Sequence, residues 1–303
     1  MTWVGWRLQR TEAMIAAGIV VLIAAMLVPT GFTIAHAYQH DGLASCLALN
    51  PSEACSLKIQ AFESRFQTLF DLTNWFTLAP GLIGTALAAP FILDLEHGTY
   101  RLAWTQSITR GRWIAGKLGL AVGGALVAAG VLVALATWWR APYVHLNGRL
   151  DVGTFDAEGS VVFGYTLFAL GLALAIGVVW RRAATALTVG FVGYVVTRVF
   201  VDTWLRDRLV SPLKASWKGL DQQPAGLYHA NVIREQAVGH FPGGIAAKSG
   251  KLGLRDPGSV VVHAVYQPAG HFWPLQLAET GLFAGIAVAL ILFAAWWTHQ
   301  RTA

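Results

Sequence analysis

Two oppositely charged residues, Arg198 and Asp202, lie four positions apart at the end of an apolar stretch. On an α-helix this spacing places both side chains on one face, where they can form an ion pair. Such a pair beside a membrane either lines a polar pathway or gate, or anchors the helix at the membrane surface. The sequence leaves both interpretations open.

A second group of polar residues lies between positions 94 and 112. Carboxylates, a Gly-Thr step, a short amphipathic stretch and an arginine cluster follow one another there. Gly98 can end one helix and Thr99 can cap the next, which would begin near Tyr100. This segment is either a docking element for a partner protein or a solvated loop.

No pattern in the chain specifies a catalytic or metal site. Residues 111–117 have the GxxxxGK spacing of a phosphate-binding loop, but Leu118 stands where that loop needs Ser or Thr, and an apolar helix follows. The nine histidines form no compact ligand pair, and no GxSxG motif marks a nucleophile. We therefore predict no catalytic residue, no metal site and no cofactor in this chain.

The composition indicates a membrane protein. Charged residues make up 13% of the 303 residues and hydrophobic residues 55%, whereas soluble domains carry about 25% charged residues. A disordered, collagen-like or disulfide-rich secreted chain is excluded. We interpret the net charge of +6 as a topology signal rather than as a nucleic-acid-binding surface.

Six apolar stretches are long enough to cross a bilayer core of about 30 Å as helices. The first could instead be a signal peptide, but its apolar run is longer than is usual for one, and we predict an uncleaved helix. We therefore predict an all-α membrane protein with six transmembrane helices. The predicted spans are Ala13–Ala35, Trp75–Leu93, Trp113–Trp138, Val161–Trp180, Ala183–Val201 and Leu277–Trp297.

Lysine and arginine in the short loops predict the orientation. Nine of them lie on the side of the N-terminus and four on the opposite side. We therefore predict a multi-pass protein of the cell membrane with both termini in the cytoplasm. The segments 36–74, 139–160 and 202–276 are then outside. We expect 202–276, the largest, to be an irregular cap with short helices.

Two cysteines, Cys46 and Cys55, lie in the first of these outer segments. On an oxidising side of the membrane a disulfide between them is plausible, and two unpaired thiols are the alternative. The bond would close a short loop and stabilise only local structure.

The loop after the second span resembles that of type-2 ABC exporter permeases. Residues 94–99 (DLEHGT), then 105–110 (TQSITR) and Lys117 at the start of the next span, are similar to the acidic-x-Glu-x-Gly-Thr, Ser-Arg and Lys pattern of this family. Asp94 stands where the family more often has Glu. Residues 1–12, with the pattern WxxWRxxR, resemble the family's interfacial elbow helix before span one.

The resemblance implies one permease domain over residues 1–303, with an elbow helix, a coupling loop at 94–112 and an extracellular segment at 202–276. In this family the loop docks onto a separate ATP-binding subunit, which binds ATP and magnesium, and two permease copies enclose one pathway. The implied partners are therefore that subunit, a second copy in a homodimer and membrane lipid, with no nucleic acid. The residues implied to contact the ATPase are Asp94, Glu96, Gly98, Thr99, Arg101, Trp104 and Arg110.

The implied function is ATP-driven export of an amphipathic small molecule such as a drug, an antibiotic or a lipid-like compound. The chain would be the transport subunit and not an enzyme by itself. A non-transporting membrane sensor or assembly protein, binding a partner through its outer segment, is one alternative. The other is a membrane-embedded enzyme for lipid or cell-wall precursors, which would need clustered catalytic groups.

Overall fold

The computed structural model describes residues 10–48, 53–100, 109–218, 224, 227, 229–238 and 261–301. Within these residues, six helices are long and apolar enough to cross a membrane, as the sequence predicts. The described helices, numbered along the chain, are α1 (Arg10–His40), α2 (Leu43–Ala48), α3 (Glu53–Asn74), α4 (Ala79–His97), α5 (Arg110–Asn147), α6 (Val152–Ala157), α7 (Val161–Trp180), α8 (Ala183–Phe200), α9 (Arg206–Leu209) and α10 (Phe272–Arg301).

A three-stranded antiparallel sheet lies between α9 and α10. Its strands are β1 (Leu213–Lys218), β2 (Asn231–Val238) and β3 (Val261–Gln267), and β3 pairs with both of the others. The prediction of an irregular cap with short helices is therefore wrong for this part of 202–276. β3 reads VVHAVYQ, and β-branched and aromatic residues favour an extended, half-buried strand over a helix.

The bundle has two distinct ends. We call the end that carries the sheet the sheet end, and the end that carries the 94–112 loop the loop end. Exposed tryptophans lie at both ends, as is typical of side chains at membrane surfaces. They are Trp75, Trp138, Trp204 and Trp273 at the sheet end, and Trp180 and Trp296 at the loop end.

α7 lies at the centre of the bundle. It contacts α4, α5, α8 and α10. In α7, 78% of the residues of the apolar stretch are buried, whereas the share is 28% in α5 and in the span that contains α8. Small residues allow the close approach: a Cβ on Gly84 of α4 would collide with the Thr166 carbonyl of α7. A Cβ on Gly190 of α8 would lie 3.0 Å from the Cα of Ala173. α7 is therefore the support against which α8 and α10 place their polar side chains.

Two helices at the sheet end connect α1 to α4. A disulfide between Cys46 and Cys55 joins α2 to α3, with the two Cα atoms 5.5 Å apart, a separation that suits such a bond. α3 then passes into α4 through a 3₁₀ turn over Trp75–Leu78. Of the predicted elbow helix, residues 10–12 belong to α1, and residues 1–9 lie outside the described part of the chain.

Candidate functional site

Two arginines and two carboxylates are buried together near the sheet end. Arg198 is in the last turn of α8, Arg206 begins α9, Asp156 is on α6 and Glu279 is on α10. Each of these residues is 7% exposed or less. Together with the buried Tyr165 of α7 they form what we call the charge cluster, which joins five helices.

Each carboxylate of the charge cluster bridges both arginines. Arg198 donates to Asp156 Oδ2 at 2.6 Å and to Glu279 Oε1 at 3.3 Å. Arg206 donates from Nη2 to Asp156 Oδ1 at 2.5 Å and from Nε to Glu279 Oε2 at 3.0 Å. The Tyr165 hydroxyl accepts from Arg198 at 2.8 Å and donates to Glu279 Oε1 at 2.5 Å. The five side chains therefore form one closed hydrogen-bond network.

The charges of the cluster cancel, and this allows it to be buried. An isolated ion in a membrane interior costs several kcal/mol, whereas two guanidinium forks facing two carboxylates satisfy one another. Aromatic rings add to this, because the guanidinium of Arg198 lies 3.9 Å from the ring centroid of Tyr165 and that of Arg206 lies 4.5 Å from that of Phe155. The complete set is stable, and the removal of one member leaves a buried charge without compensation.

A π-helical turn over Val201–Leu205 places the two arginines on the same side. The backbone N–H of Arg206 bonds to the carbonyl of Val201, five residues earlier. In a regular α-helix, eight residues turn by about 800°, which would leave Arg206 about 80° away from Arg198 around the axis. The π turn contains one extra residue, so the eight residues from Arg198 to Arg206 turn by about as much as seven residues of a regular α-helix. The two side chains therefore lie only about 20° apart around the helix axis. Local backbone geometry thus builds the cluster.

The structure gives Arg198 and Asp202 different partners from the ones expected. Arg198 pairs with Asp156 and Glu279, whereas Asp202 pairs with Arg206. Both side chains nevertheless line one cavity of about 270 Å³, which opens beside α6 and α8. Their assignment to a pathway or gate stays a prediction.

Asp156 lines two cavities. The first is this outer cavity, whose walls also include Thr77 and Asp151. The second is an apolar cavity of about 30 Å³ inside the bundle, bounded by α1, α4, α5 and α7 and including Leu27 and Ala136. Asp156 therefore stands between a polar space at the sheet end and an apolar space among the spans.

Side chains from neighbouring helices also hold the α6 segment (residues 151–160). Gln276 of α10 donates to the carbonyls of Phe155 at 2.8 Å and Glu158 at 3.1 Å, and accepts from the Val161 amide at 2.9 Å. Arg140 of α5 donates to the Thr154 hydroxyl at 2.9 Å. The position of this short helix depends on these bonds, because six residues alone do not sustain a helix.

Glu158 is a buried carboxyl at the end of this segment. Its Oε1 atom has no hydrogen-bond partner among the described residues. Burial raises the pKa of Glu158 to about 7, and the opposite charges of Arg149 and Arg140 offset only part of this effect. Glu158 therefore differs from the carboxylates of the charge cluster, which are buried with partners.

At the loop end, Asp94 ties the second span to the third. Its carboxylate pairs with Lys117 Nζ of α5 at 2.7 Å and accepts a hydrogen bond from the Thr99 hydroxyl at 2.8 Å. Gly98 ends α4 in the left-handed conformation with φ of 70°, which confirms the prediction for this residue. Residues 111–117, with the phosphate-loop spacing, lie inside α5 and form helix rather than a loop.

Glu96 ties the same segment to α8. Its Oε2 atom accepts a hydrogen bond from the backbone N–H of Ala183 at 2.7 Å, and Ala183 is the first residue of α8. A carboxylate at this position satisfies one of the free amides of the helix N-terminus and meets its positive dipole. The carboxylate thus caps α8 from another helix.

The predicted docking residues therefore have contacts within the chain. Asp94, Glu96 and Thr99 hold the junction of α4, α5 and α8, and Glu96 is also exposed to solvent. Arg101 and Trp104 lie outside the described residues, and Arg110 begins α5. Contact of these residues with an ATPase stays a prediction.

The chain is similar to one known family. Residues 17–206 match the family described as ABC-2 membrane transporter related. The chain belongs to this family and is a permease subunit of an ABC transporter, and membership implies an ATP-binding partner protein. The matched region contains Glu96 with its contact to α8 and four of the five cluster residues, but not Glu279, the sheet or the rest of α10. No curated protein and no solved structure matches the chain significantly.

Sequence reasoning missed most of the charge cluster. Glu279 lies inside the predicted sixth span, and a carboxylate within an apolar span is a signal for a buried functional partner. Arg198 lies in the fifth span, and a cation there predicts a carboxylate on another helix more strongly than one on its own helix. Asp156 and Tyr165 had no comparable signal, since an acidic residue in a loop and a tyrosine in a span are both ordinary.

Proposed function

We propose that this permease subunit exports an amphipathic small molecule and works as a pair of identical copies with two ATP-binding subunits. The observation that carries the proposal is the family match, which includes the loop end with its contacts from Asp94 and Glu96. Movement of the loop by the ATPase would reach three spans directly, because these two carboxylates join α4 to α5 and α8.

The proposal places the loop end in the cytoplasm. The distribution of basic residues supports this orientation, since cytoplasmic loops carry an excess of Lys and Arg. The ATPase would then meet the 94–112 loop on the side where ATP is available. The described basic residues at this end are Arg10, Arg110, Arg112, Lys117, Arg181, Arg182 and Arg301.

An amphipathic substrate fits the surfaces that the spans present. The charges of the cluster satisfy one another rather than facing the membrane. The exposed face of α8 is apolar, with Val192, Val196 and Val199 following at helical spacing. Such a face contacts lipid or an apolar substrate more readily than a hydrated ion.

Co-purification from native membranes, followed by an ATPase assay and transport into vesicles, tests the proposal. We expect a stoichiometric ATP-binding subunit and ATP-dependent uptake of an amphipathic dye by inside-out vesicles. A chain that purifies alone and moves no dye with ATP contradicts the proposal and favours the sensor or enzyme alternatives.

A double variant tests the role of the loop. Glu96→Ala with Arg101→Ala should lower dye transport per ATP hydrolysed at least about tenfold while leaving membrane insertion intact, because about 1.4 kcal/mol of lost coupling suffices for that factor. His97→Ala, which changes the exposed neighbour, is the control and should behave as the wild type. Unchanged transport at normal expression would argue against a coupling role for this loop.

A further inference from the structure

The α6 segment separates the outer cavity from the apolar cavity within the bundle, and Asp156 is the side chain that lines both. Arg198 and Arg206 hold this side chain through both of its carboxylate oxygens. We propose that α6 is an outer gate that the charge cluster holds shut, and that α8 transmits movement of the 94–112 loop to it. This inference rests on the proposed function and adds the residues that couple ATP use to opening.

α8 is suited to carry movement from one end of the bundle to the other. Glu96 holds its first residue, Ala183, and Arg198 lies fifteen residues further along the same helix. A helix rises 1.5 Å per residue, so the two contacts are about 22 Å apart along one rigid element. Only 28% of the residues in the apolar stretch of this span are buried, so no other helix of the chain covers its outer face and restrains a shift.

The gate segment itself depends on its contacts. α6 has six residues, and Arg198, Arg206, Arg140 and Gln276 reach it from the surrounding helices. Two of these four side chains belong to the span that begins at Ala183. A shift of this span therefore removes both guanidinium partners of Asp156 at once.

Asp202 provides the alternative partner that a two-state gate needs. It lies four residues after Arg198 and lines the same outer cavity. In the closed state Asp202 pairs with Arg206. When Asp156 leaves, Arg198 can share Asp202 with Arg206, and both arginines keep Glu279, so neither is left without a carboxylate. Each state then has its own set of ion pairs, which is the condition for a discrete switch.

Labelling of a cysteine inside the bundle measures the gate. Leu132 lines the apolar cavity and is buried, and Leu132→Cys is placed in a chain whose Cys46 and Cys55 are both replaced by serine. A membrane-impermeant methanethiosulfonate reagent is applied from the sheet side to membranes that contain the chain with its ATPase. We expect slow labelling without ATP and faster labelling with ATP.

Asp156→Asn should open the gate without ATP. It removes the charge that both arginines hold, so labelling of the introduced cysteine should be at least about tenfold faster than in the parent, because breaking a buried pair shifts an equilibrium by more than one factor of ten. Val199→Ala is the control: Val199 lines the outer cavity only and belongs neither to the α6 segment nor to the charge cluster, so labelling in this variant should equal that in the parent. If Asp156→Asn is not recovered from membranes, Arg198→Lys replaces it, because lysine keeps the charge but lacks the fork.

Glu96→Ala should have the opposite phenotype. The gate stays closed, and the increase in labelling that ATP causes in the parent is lost, while His97→Ala keeps it. Labelling of Asp156→Asn or Arg198→Lys at the parent rate, or a normal ATP response in Glu96→Ala, overturns the inference. If ATP has no effect on the parent and no ATPase accompanies the chain, the proposed function fails, and the comparison of Asp156→Asn with its parent still decides whether α6 is a gate.

Discussion

At the sheet end, Asp156 and Glu279 hold two arginines in buried positions, whereas at the loop end Asp94 and Glu96 hold Lys117 and the start of α8 beside solvent. The side chain of Glu279 is fully buried, and that of Asp94 is 22% exposed. The same carboxylate chemistry is therefore strong at one end and weak at the other, because water screens the exposed contacts. The sheet end is therefore the more costly of the two to rearrange, whereas the loop end can be rearranged by a binding partner.

The largest effect is expected from loss of one charge in the cluster. Glu279→Leu leaves Asp156 as the one buried carboxylate for the two arginines, with the partly exposed Asp202 on Arg206, and should lower the free energy of unfolding by about 3–5 kcal/mol. The measurement is thermal or denaturant unfolding in detergent, followed by tryptophan fluorescence.

A double variant is the control for this prediction. Glu279→Leu with Arg206→Leu removes one charge of each sign and should recover part of the lost stability. A single variant whose free energy of unfolding lies within about 1 kcal/mol of the wild type would show that the cluster is no stronger than the loop end.

The next effect concerns Glu158, which is buried without a full set of partners. Folding raises its pKa to about 7, so the folded chain holds this proton more tightly than the unfolded chain. The stability that protonated Glu158 contributes is present at low pH and is lost as the pH rises from about 5 through about 7. The free energy of unfolding should fall by on the order of 3 kcal/mol over this range.

Glu158→Gln removes this titration. The wild type should therefore lose more stability than the variant between pH 5 and pH 8, as measured by the unfolding temperature at each pH. Glu235→Gln, on the exposed strand β2, is the control and should keep the wild-type slope. Equal slopes in wild type and Glu158→Gln would mean that this carboxyl is solvated like those at the loop end.

A smaller effect is expected from one hydroxyl of the cluster. Tyr165→Phe removes a donor to Glu279 and an acceptor for Arg198, and should cost about 2 kcal/mol because both partners are charged. Thr166→Val, on the same helix, is the control. It removes a hydrogen bond to the neutral carbonyl of Val162, so its free energy of unfolding should fall by about 1 kcal/mol. Equal shifts in the two variants would contradict the ionised state of the cluster.

The smallest effect is expected at the loop end. Asp94→Asn removes the ion pair with Lys117 and should cost about 1 kcal/mol or less. The cost should shrink in high salt, where exposed charges are screened, while that of Glu279→Leu should not. Unfolding of both variants in low and in high salt measures the contrast between the two ends directly. A salt-independent cost at Asp94 would indicate a buried pair there.

The sequence predicts the spans well because membrane crossing imposes a simple rule, about twenty apolar residues per helix. It also predicts the end of α4 at Gly98, since a left-handed helix end favours glycine. Both features depend on residues that are neighbours in the chain.

The charge cluster could not be predicted in the same way. Asp156 and Glu279 are more than a hundred residues apart, and the π turn changes the direction of every side chain after Val201. The spacing of a regular helix predicts Asp202 beside Arg198. The π turn contains one extra residue and places Arg206 on the same side as Arg198. The sheet was missed because its strands are separated by stretches rich in glycine, proline and histidine, a composition typical of an irregular loop.

The π turn has a consequence for how such a chain diverges. It is equivalent to one residue inserted into a continuous helix, and deletion of Thr203 would restore the regular backbone at this point. Seven residues would then separate the two arginines, and in a regular helix seven residues turn by about 700°, so Arg206 would stay about 20° from Arg198 and remain directed at the cluster. A relative that lacks this residue could therefore keep the same outer face on a regular helix.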